Sequence, residues 1–347
     1  MRITEQDYYS SGYAIGKLLD NADYPALKFC RKPLVRAFCT ALYFLMKPHF
    51  GKIRIPKRYI EELHGYADAT GLSYRLLFCV NFMFDVLKRF GLHCSSVAIM
   101  KEEEILLGRN TDVVPWIGRL ALKWFPSIAL DIQIPGKLRY VHVTPGLFLG
   151  AINGVNEAGI AVLSHQIQAT REASVPGNLA TTLLQRMLLE GADSVTKAET
   201  ITRENPVQRC ITNMIVSHNE RKSCIFEICP SAVGQIMQEG PFQCCVTHFR
   251  TPELAALHRK DSSASEKRLS LMNVLAERTA PVPSALMRFL RNYENGLSFR
   301  NTGSSPTNEG TLQSLIFDLK RRRIFYSDGE QLPVSLSGSY RELPIDV

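Results

Sequence analysis

Acidic residues are missing from one long stretch of this chain. Between Pro25 and Ile60 there is no Asp or Glu, whereas Lys28, Arg31, Lys32, Arg36, Lys47, Lys52, Arg54, Lys57 and Arg58 all fall there. These nine cations exceed the whole formal net charge of +8, so the remainder of the chain is close to neutral. Inside this basic frame, Leu34 to Lys47 reads LVRAFCTALYFLMK, apolar on nearly every face. Apolar residues flanked by cations suit a surface lying against anionic lipid. A buried helix with solvated ends has the same pattern.

Other absences exclude whole classes. The nine cysteines are odd in number and include no CxxC pair, so neither a zinc ligand set nor a disulfide framework is expected. Most of them suit the reduced core of a protein in a reducing compartment. No window reaches the roughly 18 apolar residues of a spanning helix. The start, MRITEQDYYSSGYAIGKLLD, carries acids and tyrosines where a signal peptide needs a basic end and an apolar run. The expected location is cytoplasmic, or at most peripheral to a membrane. No GxGxxG follows a strand pattern, which removes the support for a dinucleotide. No groove-reading motif is present, so nucleic acid is not an expected partner. No metal or organic cofactor is implied.

What is present is ample core material, 45% hydrophobic and 21% charged residues in a chain of 347. That suits one large layered domain with an extended arm. The first ninety residues read as helical, including PKRYIEELHGYADATG, opened by Pro56 and closed by Gly71, and LSYRLLFCVNFMFDVLKRFG, stopping at Gly91. After Cys94 the texture becomes strand-like: SSVAIM, EILLGRN, RYVHVTP, LFLGAING and GIAVLSHQI. Two helices follow, NLATTLLQRMLLEG and DSVTKAETITREN, the second with Asp193 as N-cap. Strand texture returns to CCVTHF; 259–279 is polar, helix or loop; and TLQSLIFDLKRRRIFYSDG closes as a hairpin around KRRR. Strands, helices and strands in that order predict stacked sheets with helices outside. DVVPWIGRLALKWFP reads as a loop from Trp116 to Phe125, its tryptophans either a lip facing lipid or substrate, or core packing.

Cys94 poses the chemical question. In GLHCSSVAIM it opens an apolar run just after the helical region ends. A small buried hydrophobe there needs no further reason. A nucleophile there would need cations or amines to favour its thiolate. If 94–100 and 105–110 form a hairpin, Arg109 and Asp112 of GRNTD fold back beside Cys94. AINGVNEAGIAV forms a second hairpin running into Ser164 and His165. The neighbouring His93 is a poor base, because consecutive strand side chains point to opposite faces. His165 and His248 could reach Cys94 only through the fold. His64, His142 and His218 read as structural.

Taken together, YIEELHGYADATGLSY and LLFCVNFMFDV, then HCSSVAI, LLGRNTD, GAINGVNEAGIAV, VPGNLATTLLQRML and CCVTHF resemble the N-terminal-nucleophile (Ntn) hydrolases. The resemblance is to the penicillin acyl-CoA acyltransferase, acid ceramidase and N-acylethanolamine amidase type, with bile-salt hydrolases more distant. It implies an α+β fold, a four-layer αββα sandwich, and maturation by cutting the bond before the nucleophile. The cleavage site would be His93/Cys94, giving a helical segment 1–93 and a core 94–347. The freed amine of Cys94, with a reference pKa of about 8, would act as base. By the same resemblance Asp112 would hold that amine, and Arg109 would favour the thiolate and orient an acyl oxygen.

CVTHF puts Thr247 where the family's oxyanion-hole asparagine stands, with a backbone N–H near Ser164 and His165 as second donor. His165, Trp116 and Asn308 are the expected substrate contacts; Asn308 stands at the place of a late family arginine, with Arg300 as a substitute. The expected activity is a cysteine amidohydrolase acting on a linear fatty-acyl or lipid amide through a Cys94 thioester. An acyltransferase using the same thioester is the alternative, and a catalytically silent lipid-binding homologue the second. The expected partners are a small acyl amide or lipid and, through residues 25–60, an anionic membrane surface.

Overall fold

The computed structural model describes residues 1–86, 92–167, 175–257, 262–292, 310–327 and 329–345. The N-terminal part holds a short strand, β1 (Arg2–Thr4), then α1 (Tyr8–Asn21), α2 (Pro25–Cys30), α3 (Pro33–Phe50), α4 (Lys57–Thr70) and α5 (Tyr74–Val86). A hairpin of β2 (Leu92–Lys101) and β3 (Glu104–Val113) leads into α6 (Pro115–Trp124). Four strands follow: β4 (Ser127–Gln133), β5 (Tyr140–Pro145), β6 (Asn153–Asn156) and β7 (Ile160–Gln166). Helices α7 (Thr181–Gly191) and α8 (Val195–Glu204) precede β8 (Ile211–Ser217), β9 (Lys222–Cys229), β10 (Ala232–Met237) and β11 (Phe242–Cys245). After α9 (Pro252–Ala255), α10 (Ser263–Arg278) and α11 (Pro283–Leu290) come β12 (Gly310–Asp318), β13 (Arg323–Ser327), α12 (Val334–Ser337) and β14 (Tyr340–Pro344).

The helix ends follow local chemistry. Proline opens α2, α3, α6 and α11, where its fixed φ suits the first turn and its missing N–H costs nothing. Gly71 closes α4 at φ +66°, the left-handed conformation that favours glycine. For α8 the capping residue is Ser194 rather than the expected Asp193: the Ser194 hydroxyl accepts from the Lys197 N–H at 3.2 Å. Asp193 instead accepts from that hydroxyl, one residue too early to cap the turn itself.

The strands form two sheets, one of eight in the order β1-β4-β5-β6-β7-β8-β9-β10 and one of six in the order β11-β2-β3-β12-β13-β14. Side-chain alternation divides most of the buried apolar residues among three cores, with a small fourth cluster around Phe249. Ala98, Met100, Leu107, Leu163, Met214 and Phe317 pack between the sheets. Their strand neighbours Val97, Ile99, Leu106 and Ile316 face α10 and α11. The outer side of the large sheet, through Ile160, Val162, Ile211 and Phe226, packs on α1, α2, α4, α5, α7 and α8. The result is the expected α+β sandwich of four layers, helix, sheet, sheet, helix.

The N-terminal segment is not purely helical, a correction to the expectation. β1 lies parallel to β4 at the edge of the large sheet, pairing Ile3 with Ile132. A buried ionic cluster also fastens this segment to the core. The Arg186 guanidinium of α7 is 2.7 Å from Glu62 of α4 and 2.8 Å from Glu190, whose carboxylate accepts from Tyr8 and Tyr59 at 2.9 and 2.7 Å. Removing one partner of such a buried pair typically costs about 3–5 kcal/mol.

The stretch expected as a loop from Trp116 to Phe125 is helix α6. Pro115 at the first turn and apolar residues at helical spacing account for it.

Candidate active site

The β2–β3 hairpin places Cys94. Its register sets Ser96 opposite Arg109 and Cys94 opposite Thr111, so Cys94 and Arg109 lie diagonally on the same face, between the sheets. Both are only 2% exposed. Arg109 Nη2 is 3.6 Å from Cys94 Sγ and donates to the Ser164 carbonyl at 2.7 Å, while Nη1 reaches Gln313 Oε1 at 3.4 Å. Burial pushes the Cys94 thiol up; the Arg109 guanidinium opposes this, and the Asp112 carboxylate adds to it. The net direction is upward, so in the intact chain Cys94 is a protonated thiol near neutral pH. Its own nitrogen is then a peptide nitrogen and offers no base.

Asp112 occupies the other face of β3, opposite His93 in the register. Its carboxylate accepts from Thr311 Oγ1 at 2.7 Å and lies 3.5 Å from the Arg268 guanidinium of α10. The sheet thus separates Arg109 from Asp112 while keeping both beside the 93–94 bond. An irregularity in the β12–β3 register between Thr311 and Gln313 brings a polar side chain of β12 to each of these two faces. One extra residue, Leu312, lets Thr311 face Asp112 and Gln313 face the side of Arg109. Gln313 Oε1 also accepts from Asn153 Nδ2 at 3.1 Å, and Gln313 Nε2 donates to Ser127 Oγ at 2.9 Å. Thr311 and Gln313 carry no sequence signal that singles them out, because a bulge within an alternating run is invisible to pattern.

Thr247 follows the last pair of β11, Cys245 with Ser96. Val246 packs in the outer core and His248 reaches Ser265 of α10 at 2.9 Å. Thr247 between them is half-buried, in a bend just past the strand end. His165 is fully buried between the sheets, its Nδ1 3.5 Å from Cys245 Sγ; burial, then the Arg109 charge, lower it to about 3. A histidine so held is neutral and is no candidate base. The expected N–H donor at Ser164 is already engaged, donating to the Ile152 carbonyl at 2.9 Å. The pairing of β6 with β7 takes up that N–H and the Ser164 carbonyl serves Arg109, which leaves the His165 N–H as the expected donor at this place.

A cavity of about 970 Å³ opens beside this cluster. Thr111 and Gln313 form part of its wall, as do Leu122, Phe125, Leu312 and Leu332, while Arg119, Lys123 and Arg341 bring three cations and Glu330 one carboxylate to it. Trp116 stands 63% exposed in the first turn of α6, the helix that supplies one wall. His165 and Trp116 are not among the residues that line the cavity. Asn308 and Arg300 fall outside the described residues, as does the His93 side chain. Among the described residues, no three His, Cys, Asp or Glu side chains gather as a metal ion would require.

Residues 99–331 match the family model of acyl-coenzyme A:6-aminopenicillanic acid acyl-transferase, well over half of the chain. The chain belongs to this acyl-transferase family. The matched stretch takes in Arg109, Asp112, Thr247 and Gln313, and begins just after Cys94. No curated protein matches the acyl-transferase-family chain by sequence.

Among solved structures it resembles a variant of the conjugated bile acid hydrolase of Clostridium perfringens, with 11% identity, a TM-score of 0.50, and coverage of 73% of this chain and 92% of that one. It also resembles the Caenorhabditis elegans ortholog of N-acylethanolamine-hydrolyzing acid amidase, with 13% identity, a TM-score of 0.46, and coverage of 65% and 93%. Penicillin V acylase from Agrobacterium tumefaciens gives 13% identity, a TM-score of 0.46, and coverage of 67% and 82%. At such identities the likeness concerns the fold alone; the membership of an acyl-transferase family rests on the family model.

Proposed function

We propose that this chain is a cysteine Ntn amidohydrolase that cuts the bond between His93 and Cys94 and then hydrolyses a linear acyl amide through Cys94. The observation that carries the reading is the Cys94–Arg109 pair, Sγ to Nη2 3.6 Å, buried between the sheets next to a cavity of about 970 Å³. In self-cleavage, Sγ would attack the His93 carbonyl carbon and the acyl group would pass from nitrogen to sulfur. Water would then cleave that thioester, leaving a carboxylate on His93 and a free amine on Cys94. In turnover, that amine would take the thiol proton, and Sγ would attack the substrate carbonyl. The proton would pass to the departing amine, and water would release the acid. Asp112, opposite His93, is suited to hold the ammonium, and Thr247 to donate to the oxyanion. The wall of Leu122, Phe125, Leu312 and Leu332 suits an acyl chain, while Arg119, Lys123 and Arg341 suit an anionic group on the same molecule. The lipid character of the substrate rests on this wall and on the basic apolar helix α3.

The family match favours a second reading, transfer of the acyl group to an amine in place of water, since both would attack the same thioester. Intact-mass measurement of the stored protein tests the central claim. Two fragments divided at His93/Cys94 are expected for the wild type, and one uncut chain without amidase activity for Cys94→Ala. A wild-type chain that stays whole and inert would establish the silent homologue instead, and product release by Cys94→Ala would remove Cys94 from the chemistry. Adding an amine acceptor to turnover assays separates the two active readings by the product formed.

A further inference from the structure

Gln313 links the cavity to the cation beside the nucleophile. It is 5% exposed, forms part of the cavity wall, and its single carbonyl oxygen accepts from both Arg109 Nη1 at 3.4 Å and Asn153 Nδ2 at 3.1 Å. Its amide nitrogen donates to Ser127 Oγ at 2.9 Å and to the Val143 carbonyl at 3.5 Å; because the guanidinium can only donate and that carbonyl only accept, the oxygen end faces Arg109. Asn153 is itself locked, its side chain bonding both the N–H and the carbonyl of Val143 at 3.1 and 2.9 Å. The Arg109 guanidinium is therefore held at two points, the Ser164 carbonyl and Gln313, and the same nitrogen that bonds Ser164 is the one nearest Cys94 Sγ.

We propose that Gln313 is a positioning residue: a neutral acceptor that fixes Arg109 beside Cys94 without cancelling its charge, so that the guanidinium is spent on the thiol. The chemistry favours an amide over the commoner carboxylate partner of arginine. A carboxylate at this position would pair with Arg109 in a dry site and remove the one positive influence opposing burial of the thiolate. A hydrocarbon would leave a buried guanidinium N–H without an acceptor and let the group drift. The bulge at Leu312 is what delivers this side chain, which ties the irregular backbone of β12 to the chemistry. The inference rests on the proposed role of Cys94 and goes beyond it by assigning the residue that sets its reactivity.

The test follows alkylation of Cys94 by iodoacetamide against pH, with the modified cysteine located by peptide mass, in wild type, Gln313→Glu and Gln313→Met. The glutamate, close in shape, is expected to move the profile upward by about one pH unit or more. The methionine is expected to lower kcat several-fold with KM nearly unchanged. A profile that stays in place for Gln313→Glu, in a protein with wild-type thermal stability, overturns the proposal. So does a rise in KM at constant kcat for Gln313→Met, which would make Gln313 a substrate contact alone. If the glutamate chain does not fold, the kcat and KM of the methionine variant decide the matter. A wild type whose Cys94 is neither labelled nor freed from His93 overturns the proposed function, and this inference with it; labelling in the wild type with an unmoved profile removes only the inference.

Discussion

At Cys94 the decisive quantities are small and opposed. Burial holds the thiol protonated, and one guanidinium at 3.6 Å works against it. Thr247, half-buried just past the end of β11, is proposed as the neighbouring donor in the position of the family asparagine. If its hydroxyl stabilises the developing oxyanion, Thr247→Val keeps the shape and removes the donor, at a cost on the order of 3 kcal/mol in barrier. The expected result is a fall in kcat of about two orders of magnitude with KM nearly unchanged, and retained or raised activity for Thr247→Asn. A valine variant as active as wild type would place the donor elsewhere. Cys94 and the GRNTD residues could be selected from the sequence because a hairpin must fold them together. Gln313 could not, since its approach depends on one inserted residue in a partner strand some two hundred positions away.

Among elements, α3 shows how a composition becomes a surface. Val35, Cys39, Tyr43 and Met46 pack against the core, whereas Leu34, Phe38 and Leu45 are 85%, 66% and 74% exposed. The sequence left two readings open, a buried helix or a lipid-facing one, and the helix packs one face on the core while leaving an apolar face exposed. Its bare apolar face stands in a segment with nine cations and no acids, which suits an anionic lipid surface. Replacing Leu34, Phe38 and Leu45 together by Ser is expected to abolish co-sedimentation with phosphatidylserine vesicles without changing the melting temperature. Binding by wild type should weaken in high salt and with neutral vesicles. Equal binding by the triple variant, or no dependence on lipid charge, would contradict a docking role. In α6 the same kind of evidence misleads, because its tryptophans and prolines mimic a loop while Pro115 in fact opens a helix. No described helix is long and apolar enough to cross a membrane.

Over the whole molecule, the sandwich buries ionisable groups whose protonation responds to folding. Burial lowers His142 and His165 to about 3, and raises Glu62 to about 7. Each histidine, neutral in the fold and titrating near 6.5 when unfolded, contributes stability that is present above about pH 6.5 and lost as pH falls toward 3. Glu62 acts in the opposite sense, its contribution present below about pH 4.5 and lost as pH rises through 7. Below about pH 6.5 the buried histidines, His218 among those pushed down, take up protons only on unfolding, so stability should fall on acidification. Urea unfolding should show a lower stability at pH 5.0 than at pH 6.5. His142→Gln should flatten that dependence whatever it does to absolute stability, and an unchanged slope would show that His142 is not a source.

The sequence by itself determined the layer order and the hairpins. Alternation of period two and helical spacing are local, and each strand with one apolar face must find a partner for it. It also marked Cys94, Arg109 and Asp112, because they lie within twenty residues and one hairpin relates them. Tertiary structure alone decided which face of the sheet each of them takes, that the Ser164 N–H is spent on a neighbouring carbonyl, and that β1 extends the large sheet. It alone brought Gln313 to Arg109 and Glu62 to Arg186. These are contacts between residues far apart in the chain, where the geometry depends on register, a bulge and the packing of one layer on another, and none of those is written in a local pattern.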